Sequence, residues 1–364
     1  MRNKRIGRPR SRVSSALTEA GRRNLAADRR VCVYFTVDVE CAEARIRAGT
    51  RVPSLDFDLR VWGRFANQRR ELGIGLLMSE LEACGFRATF FTEVLASHHY
   101  GQQALAQVVE AMVRRGHDVQ LHLHPVLRDP EASDPVEDNI GAYAVDEQVA
   151  LLAEGLELLA AAGAPRQQLR AFRAGNFGAS NDTWRAMARV GLSLSSSYNP
   201  SYVDEDCMIR PQAPSADLFG TGVDGVWELP IANFVQPDGG LRHLQLCAVS
   251  STEMIDSLEQ CAALGIGHVA ILSHSFELSV VDSVARHRGH PDYVTLRRLR
   301  ALLRFLDANR DRFVVDTVGD LAARLPDMAT PAVATEHPRG NQRSYLRRLA
   351  GQGLRRIAAR VRLP

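Results

Sequence analysis

Apolar positions along the chain recur in two alternating rhythms. The first is the short continuous run of a buried strand. Val31–Val37 (VCVYFTV) is β-branched and aromatic throughout, as a strand covered on both faces should be. Arg87–Phe91 (RATFF), Leu169–Arg173, Leu192–Ser196, Val226–Pro230 (VWELP), His268–Leu272 and Phe313–Val315 predict further strands. The second rhythm is helical. Glu71–Cys84 sets Leu72, Leu76, Leu77 and Leu81 on one side and meets Gly85 at its end. Ala104–Arg115, Val145–Ala162, Asp182–Val190 with Asn181 as its cap, Met254–Ala263, Thr295–Asn309 and Val318–Leu325 predict the other helices. Repeated strand–helix units of this length imply parallel strands with helices outside, in a barrel or an open doubly wound sheet. No repeat of fixed period is visible.

One strand carries unusual chemistry. In Gly116–Pro125 (GHDVQLHLHP), Val119, Leu121 and Leu123 alternate with Gln120, His122 and His124. Residues two apart leave a strand on the same face, so both imidazoles point one way, and Pro125 ends the strand. A pair of this kind suits a borderline divalent ion, provided other ligands converge on it. Other polar residues also fall where apolar runs stop: Asp38 and Glu40 after the first strand, Glu93 after RATFF, Arg173 after the fourth strand, and His274 after ILS. In a β/α barrel the C-terminal strand ends share one face, and that face carries the chemistry. The set offers carboxylates, imidazoles and a fixed cation in one cup. The loop Arg173–Gly178 (RAGNFG) brings Gly175 and Asn176 to the same end as substrate contacts, and its N–H groups could steady an oxyanion. Trp62 and Trp227 are candidate sugar platforms. Tyr198, Glu277 and Cys41 are weaker candidates.

Composition sharpens this only in places. The chain has 364 residues, 45% hydrophobic, with a formal charge of +3. That small net value conceals an acidic centre: residues 31–327 hold 27 basic and 39 acidic side chains, while both ends are rich in arginine. The expected organisation is a disordered basic tail over 1–30, a barrel over 31–327, and a linker with a basic amphipathic helix over 328–364. Tyr345–Leu363 spaces Leu346, Leu349, Leu354, Ile357 and Val361 among arginines, so peripheral contact with an anionic membrane is one reading and a packed terminal helix the other. The −12 centre lacks the basic groove that nucleic acid requires. Six scattered cysteines without a CxxC pair read as buried thiols of a reducing compartment. No apolar stretch reaches the length of a membrane span, and the basic N-terminus lacks the apolar core of a signal peptide. A cytoplasmic protein is expected, with contact at the inner membrane as a variant of that expectation. No protein partner is evident.

In order, VYFTVDVE, RATFF, GHDVQLHLHP, FRAGNFG, VWELPI and ILSHSFEL resemble the motifs of the polysaccharide deacetylases of the NodB-homology type (carbohydrate esterase family 4), nearest to a branch found in lipopolysaccharide biosynthesis. The resemblance spans about residues 31–325. It implies a distorted, usually seven-stranded (β/α) barrel and metal-dependent removal of acetyl groups from a sugar, a glycan or a lipid-linked envelope precursor, N-acetyl before O-acetyl. By position, Asp38 matches the base, Glu40 the metal-binding aspartate one residue late, Arg173 the arginine that orients the base, and His274 the acid. His122 matches the first metal histidine. The second is His124 at i+2, where the family has i+4, a place held here by Val126. The implied cofactor is a divalent metal, zinc for preference, on Glu40, His122 and His124. The sequence leaves open whether Asp38 and Glu40 exchange roles. It also leaves a metal-dependent amidase, a glycosidase using Asp38 with Glu93, and an inactive glycan-binding barrel as alternatives.

Overall fold

A nine-residue strand, β1 (Val31–Val39), is the longest strand among the described residues and is buried along nearly all its length. The computed structural model describes residues 30–41, 57–129 and 136–361. The expected basic tail over 1–30 falls almost wholly outside these residues. On one side β1 pairs in parallel with β10 (His268–His274), from Cys32↔His268 to Asp38↔His274. On the other side its first half meets β13 (Phe313–Asp316) and its last residues meet β2 (Thr89–Glu93). The sheet continues in parallel through β3 (Asp118–Leu123), β4 (Ala171–Ala174), β5 (Leu194–Ser195) and β7 (Trp227–Glu228). The antiparallel β6 (Phe219–Gly220) flanks β7.

Just beyond β7 the chain curls back onto β10. Ile231 bridges Ala270, and the Ala232 N–H donates to the Ala270 carbonyl at 3.1 Å. Leu244 and Leu246 exchange backbone hydrogen bonds with Leu272. The result is a distorted (β/α) barrel closed by irregular bridges. Its main sheet has nine strands among the described residues, against the seven implied, because β13 shares an edge of β1 with β2 and β6 is an antiparallel addition.

The barrel interior is layered along the strand direction. At the floor, Tyr34, Phe91, Ala171, Leu194, Leu229 and Ala270 form a separate apolar cluster. It is plugged by α7 (Val318–Arg324) through Val318, Leu321 and Ala322. Two residues further along each strand the inward face turns polar, with Thr36 and Arg173. The next inward residues of β1 and β10 are Asp38 and His274, which stand side by side. The strand period of two therefore lifts the chemistry onto one rim.

Outer helices cover the barrel: α1 (Ile74–Glu82), α2 (Gln102–Arg114), α3 (Val145–Ala161), α4 (Asn181–Val190), α5 (Ser251–Leu264) and α6 (Tyr293–Ala308). Five begin one to three residues from where the pattern predicts, and three of these show why. The α1 helix starts at Ile74 because the N–H groups of Leu72 and Gly73 are held by Gly63 and Trp62 carbonyls. There a Cβ on Gly73 would sit 2.1 Å from the Val61 carbonyl oxygen. The cap of α4 is Ser180; Asn181 lies inside the helix and exchanges hydrogen bonds with the Arg210 backbone. A capping box, Ser250 with Glu253, starts α5 three residues early.

Two hairpins were not foreseen: β8 (Asn233–Val235) with β9 (Leu241–His243), and β11 (Ser279–Ser283) with β12 (Arg288–Pro291). The C-terminal helix α8 (Gln342–Val361) begins against the barrel, where Arg348 pairs with Glu253 at 3.0 Å and both are buried. Tyr345 adds a hydrogen bond to Asp238. No helix among the described residues is long and apolar enough to cross a membrane. All six cysteines are free thiols.

Candidate active site

The rim encloses a cavity of about 420 Å³ lined by Asp38, Glu40, His122, His124 and His274 among others. Asp38 is the last inward residue of β1, and Glu40 stands one step beyond the strand's end. His122 and His124 repeat this relation at the end of β3. The two i, i+2 pairs meet: one ligand atom each from Glu40, His122 and His124 lie within 4.8 Å of one another. Val126, at the i+4 place, is buried in the turn Pro125–Leu127.

The outer nitrogens of both imidazoles are committed. His122 Nδ1 donates to the Arg173 carbonyl at 2.9 Å, and His124 Nδ1 donates to Asp138 Oδ2 at 2.8 Å. A neutral ring then presents its Nε2 lone pair inward, toward Glu40 Oε2 at 3.6 Å for His122 and 3.1 Å for His124. Two lone pairs facing a carboxylate repel unless a cation sits among them. A proton can serve. Burial alone would lower the His124 pKa, but Asp138 and Glu40 outweigh it and hold the imidazolium well above its ordinary range. Burial would likewise raise Glu40, yet the hydrogen bonds to both histidines hold it well below the usual carboxylate value. A divalent ion meets the same demand, with two imidazoles and a carboxylate as donors and orienting partners behind each ring. The residues fit such an ion.

Asp138 was not legible in the sequence; only folding brings the 136–139 segment under His124. Gly175 has a spatial role. A Cβ there would lie 2.6 Å from the His124 ring, so its absence lets the imidazole seat. Asn176 adopts a left-handed backbone (φ 54°) and donates to Asp138 Oδ2 at 2.8 Å, bracing the same carboxylate. Of the loop's N–H groups, those of Ala174 and Gly178 are taken by Ser197 Oγ and the Gly175 carbonyl, which removes both as oxyanion donors.

Arg173 is fully buried. It donates to Asp38 Oδ1 at 2.6 Å, to Thr36 Oγ1 and Ser196 Oγ at 3.0 Å, and to the Ser196 carbonyl at 3.0 Å. Its guanidinium also lies over the Phe91 ring. Across the cavity, His274 Nδ1 meets Glu277 Oε1 at 2.9 Å, and its Nε2 lies 4.0 Å from Glu40. Burial would lower the His274 pKa, but Glu277 and the nearby carboxylates win and raise it to about 9. Gln245 completes this corner by donating to Glu277 at 2.6 Å.

Three candidates lie away from the cavity. Both oxygens of Glu93 accept N–H groups, from Leu95 and Ala96, so the carboxylate caps a turn. Trp227 packs at the barrel floor. Trp62 is buried beneath Arg64. The aromatic wall is instead Phe177, Tyr202 and His243, with ring centroids 5.3 to 6.4 Å apart. Tyr198 is buried behind it, and Cys41 lines the cavity.

Neither a protein-family model nor a curated protein matches the sequence. Solved structures do. One, from Mycobacterium smegmatis and assigned as a polysaccharide deacetylase, superposes over 85% of this chain and 96% of its own, with TM-score 0.52 and 17% identity. Another, from Parabacteroides distasonis and assigned as a glycoside hydrolase/deacetylase, covers 83% of this chain and 73% of its own, with TM-score 0.51 and 12% identity. The fold is that of the NodB-like polysaccharide deacetylases. At such identities only the deacetylase fold is shared knowledge, and the chemistry must come from this chain's own side chains.

Proposed function

We propose that the protein is a metal-dependent deacetylase of acetylated carbohydrate. The observation that carries the reading is convergence: Glu40, His122 and His124 meet in one cavity with the Arg173–Asp38 pair on one side and the Glu277–His274 pair on the other. A divalent ion bound there, zinc for preference, would polarise the acetyl carbonyl and acidify water. Asp38, oriented by Arg173, accepts the proton of the attacking water at its carboxylate. His274, protonated at neutral pH, gives a proton to the departing atom. A nitrogen leaving group needs that proton more than a sugar oxygen does, which favours N-acetyl substrates. Phe177, Tyr202 and His243 supply a face for a sugar ring.

The finer reading places the substrate among glycan or lipid-linked precursors of the cell envelope, with the protein acting in the cytoplasm or at the inner membrane. The resemblance of its ordered motifs to the lipopolysaccharide branch supports this. So does α8, which turns Leu346, Leu349, Arg343 and Arg347 outward while Arg348 docks it. The glycosidase alternative loses its second carboxylate, because Glu93 is spent on backbone N–H groups. The test is metal content of the purified protein together with acetate release from N-acetylated and O-acetylated sugars, before and after chelation. Stoichiometric metal with chelator-sensitive release supports the reading. A protein that takes up no metal, or releases acetate equally well without it, overturns it.

A further inference from the structure

The chain leaving the acid strand does not return directly to a helix. After Glu277 it forms the β11–β12 hairpin, a two-stranded ribbon separate from the barrel sheet. The ribbon and the first turn of α6 carry a cluster of wet apolar side chains: Val280 and Val281 at 40% exposure, Val284 and Val294 at 38%, and Tyr293 at 63%. Five of the nine large exposed apolar side chains among the described residues fall in this fifteen-residue stretch. A soluble surface rarely gathers them so closely without a use.

The ribbon is firmly seated. The Ala66 N–H donates to the His287 carbonyl at 2.7 Å, Asn67 exchanges two hydrogen bonds with Gly289, and Gln68 adds a third to the Gly289 carbonyl. The Phe65 ring packs where a Gly289 side chain would be. The loop beneath it therefore belongs to the same surface, which mixes engaged carboxylates with four exposed arginines. The acids Asp58 and Glu71 are both engaged by Arg64, and Asp292 is spent capping α6. Asp282 faces His290. Arg69, Arg70, Arg286 and Arg288 are exposed, and among the described residues none of them makes an ion pair. The surface also adjoins the cavity, because Arg60, which lines it, stacks at 3.6 Å on Phe276 at the root of the hairpin.

We propose that this hairpin is a membrane-docking element: its valines and Tyr293 enter the head-group region of an anionic bilayer while the four arginines bind lipid phosphates. Exposed apolar side chains on one ribbon with exposed arginines that make no ion pair are a composition that a negatively charged lipid surface can engage. Tyrosine belongs at such an interface, with its ring in the apolar zone and its hydroxyl wet. The inference stands on the surface alone, so a failed deacetylase reading leaves it intact.

The test is co-sedimentation of the full chain with vesicles of phosphatidylglycerol and phosphatidylcholine, against vesicles of phosphatidylcholine alone. The protein should pellet with the anionic vesicles and lose binding as salt rises. Arg286→Ser with Arg288→Ser should weaken partitioning by roughly 25-fold, since an arginine near an anionic surface is worth about fivefold. Val280→Ser with Val284→Ser, checked for an unchanged melting curve, should weaken it at least tenfold. The arginine variant keeps the test sound if the valine variant is unstable. Leu346→Ser with Leu349→Ser serves as the comparison. If only this α8 variant loses binding, or if the chain ignores anionic vesicles, the proposal falls. A dimer that the valine changes dissociate, seen by light scattering, would overturn it in favour of a second copy of this chain.

Discussion

Arg173 brings its guanidinium into the barrel with no water to solvate it, and its contacts are those a buried cation requires. Asp38 neutralises it, while Thr36 and Ser196 accept from three of the four remaining N–H groups. Removing one member of such a pair strands the other, at a cost of about 3–5 kcal/mol. Asp38→Asn should therefore do two things: lower kcat by about 10²–10⁴-fold as the base is lost, and lower Tm, while bound metal stays near stoichiometric. Metal analysis decides the assignment, because loss of the ion in this variant would mean that Asp38 is a ligand and Glu40 the base. A second residue-scale prediction concerns pH. The His274 pKa of about 9 means that the acid is protonated below that value, so kcat/KM should fall as pH rises through about 9. Glu277→Gln removes the hydrogen-bonded charge that raises it, and the alkaline limb should move to lower pH. A profile with an unmoved limb would exclude His274 as the acid. Gly175→Ala pushes a methyl into the His124 ring, so metal affinity measured by calorimetry should drop about tenfold or more.

Elements show where sequence periodicity carries information and where it stops. β1, β3 and β10 are legible because a strand buried on both faces must be apolar throughout, and their terminal polar residues stand out against that run. The pairing of Asp38 with Arg173 was implied by the resemblance of the motifs, whereas that of His274 with Glu277 was not predicted. Asp138 and the aromatic wall were not legible. They come from irregular segments that reach the site only through tertiary packing, and no period marks such residues. Glu93 and Trp227 misled for a related reason. Placement at a strand end does not reveal whether a carboxylate will cap a turn, nor whether an indole faces the floor. The α8 helix shows the same limit: its apolar spacing was plain, yet its docking depends on the charged Arg348. Arg348→Ala leaves Glu253, which also caps α5, buried without its partner. It should cost about 3 kcal/mol and increase hydrogen exchange along α8.

At the scale of the molecule, the ligands of the proposed metal site come from the ends of β1 and β3, which flank β2 and meet only in the folded sheet. An ion bound by the native state alone shifts the unfolding equilibrium, by about 4 kcal/mol at a thousand times its Kd. Tm should thus rise with free zinc concentration in the wild type and stay flat in His122→Ala. A matching rise in that variant would place the bound ion elsewhere.

The three partners of β1 have a temporal consequence. One edge is filled by β10 and the first half of the other by β13, both from the far end of the chain; Thr36 and Ile271, for example, are 235 residues apart. At translation rates of about 5–20 residues per second, β1 leaves the ribosome on the order of tens of seconds before β10 and β13 exist. Throughout that interval a long apolar strand has open edges, ready to pair with a neighbouring nascent chain. Chaperone demand should therefore be set by the emergence of residues 268–316, and stalling before that point should yield aggregates in preference to a folded fragment.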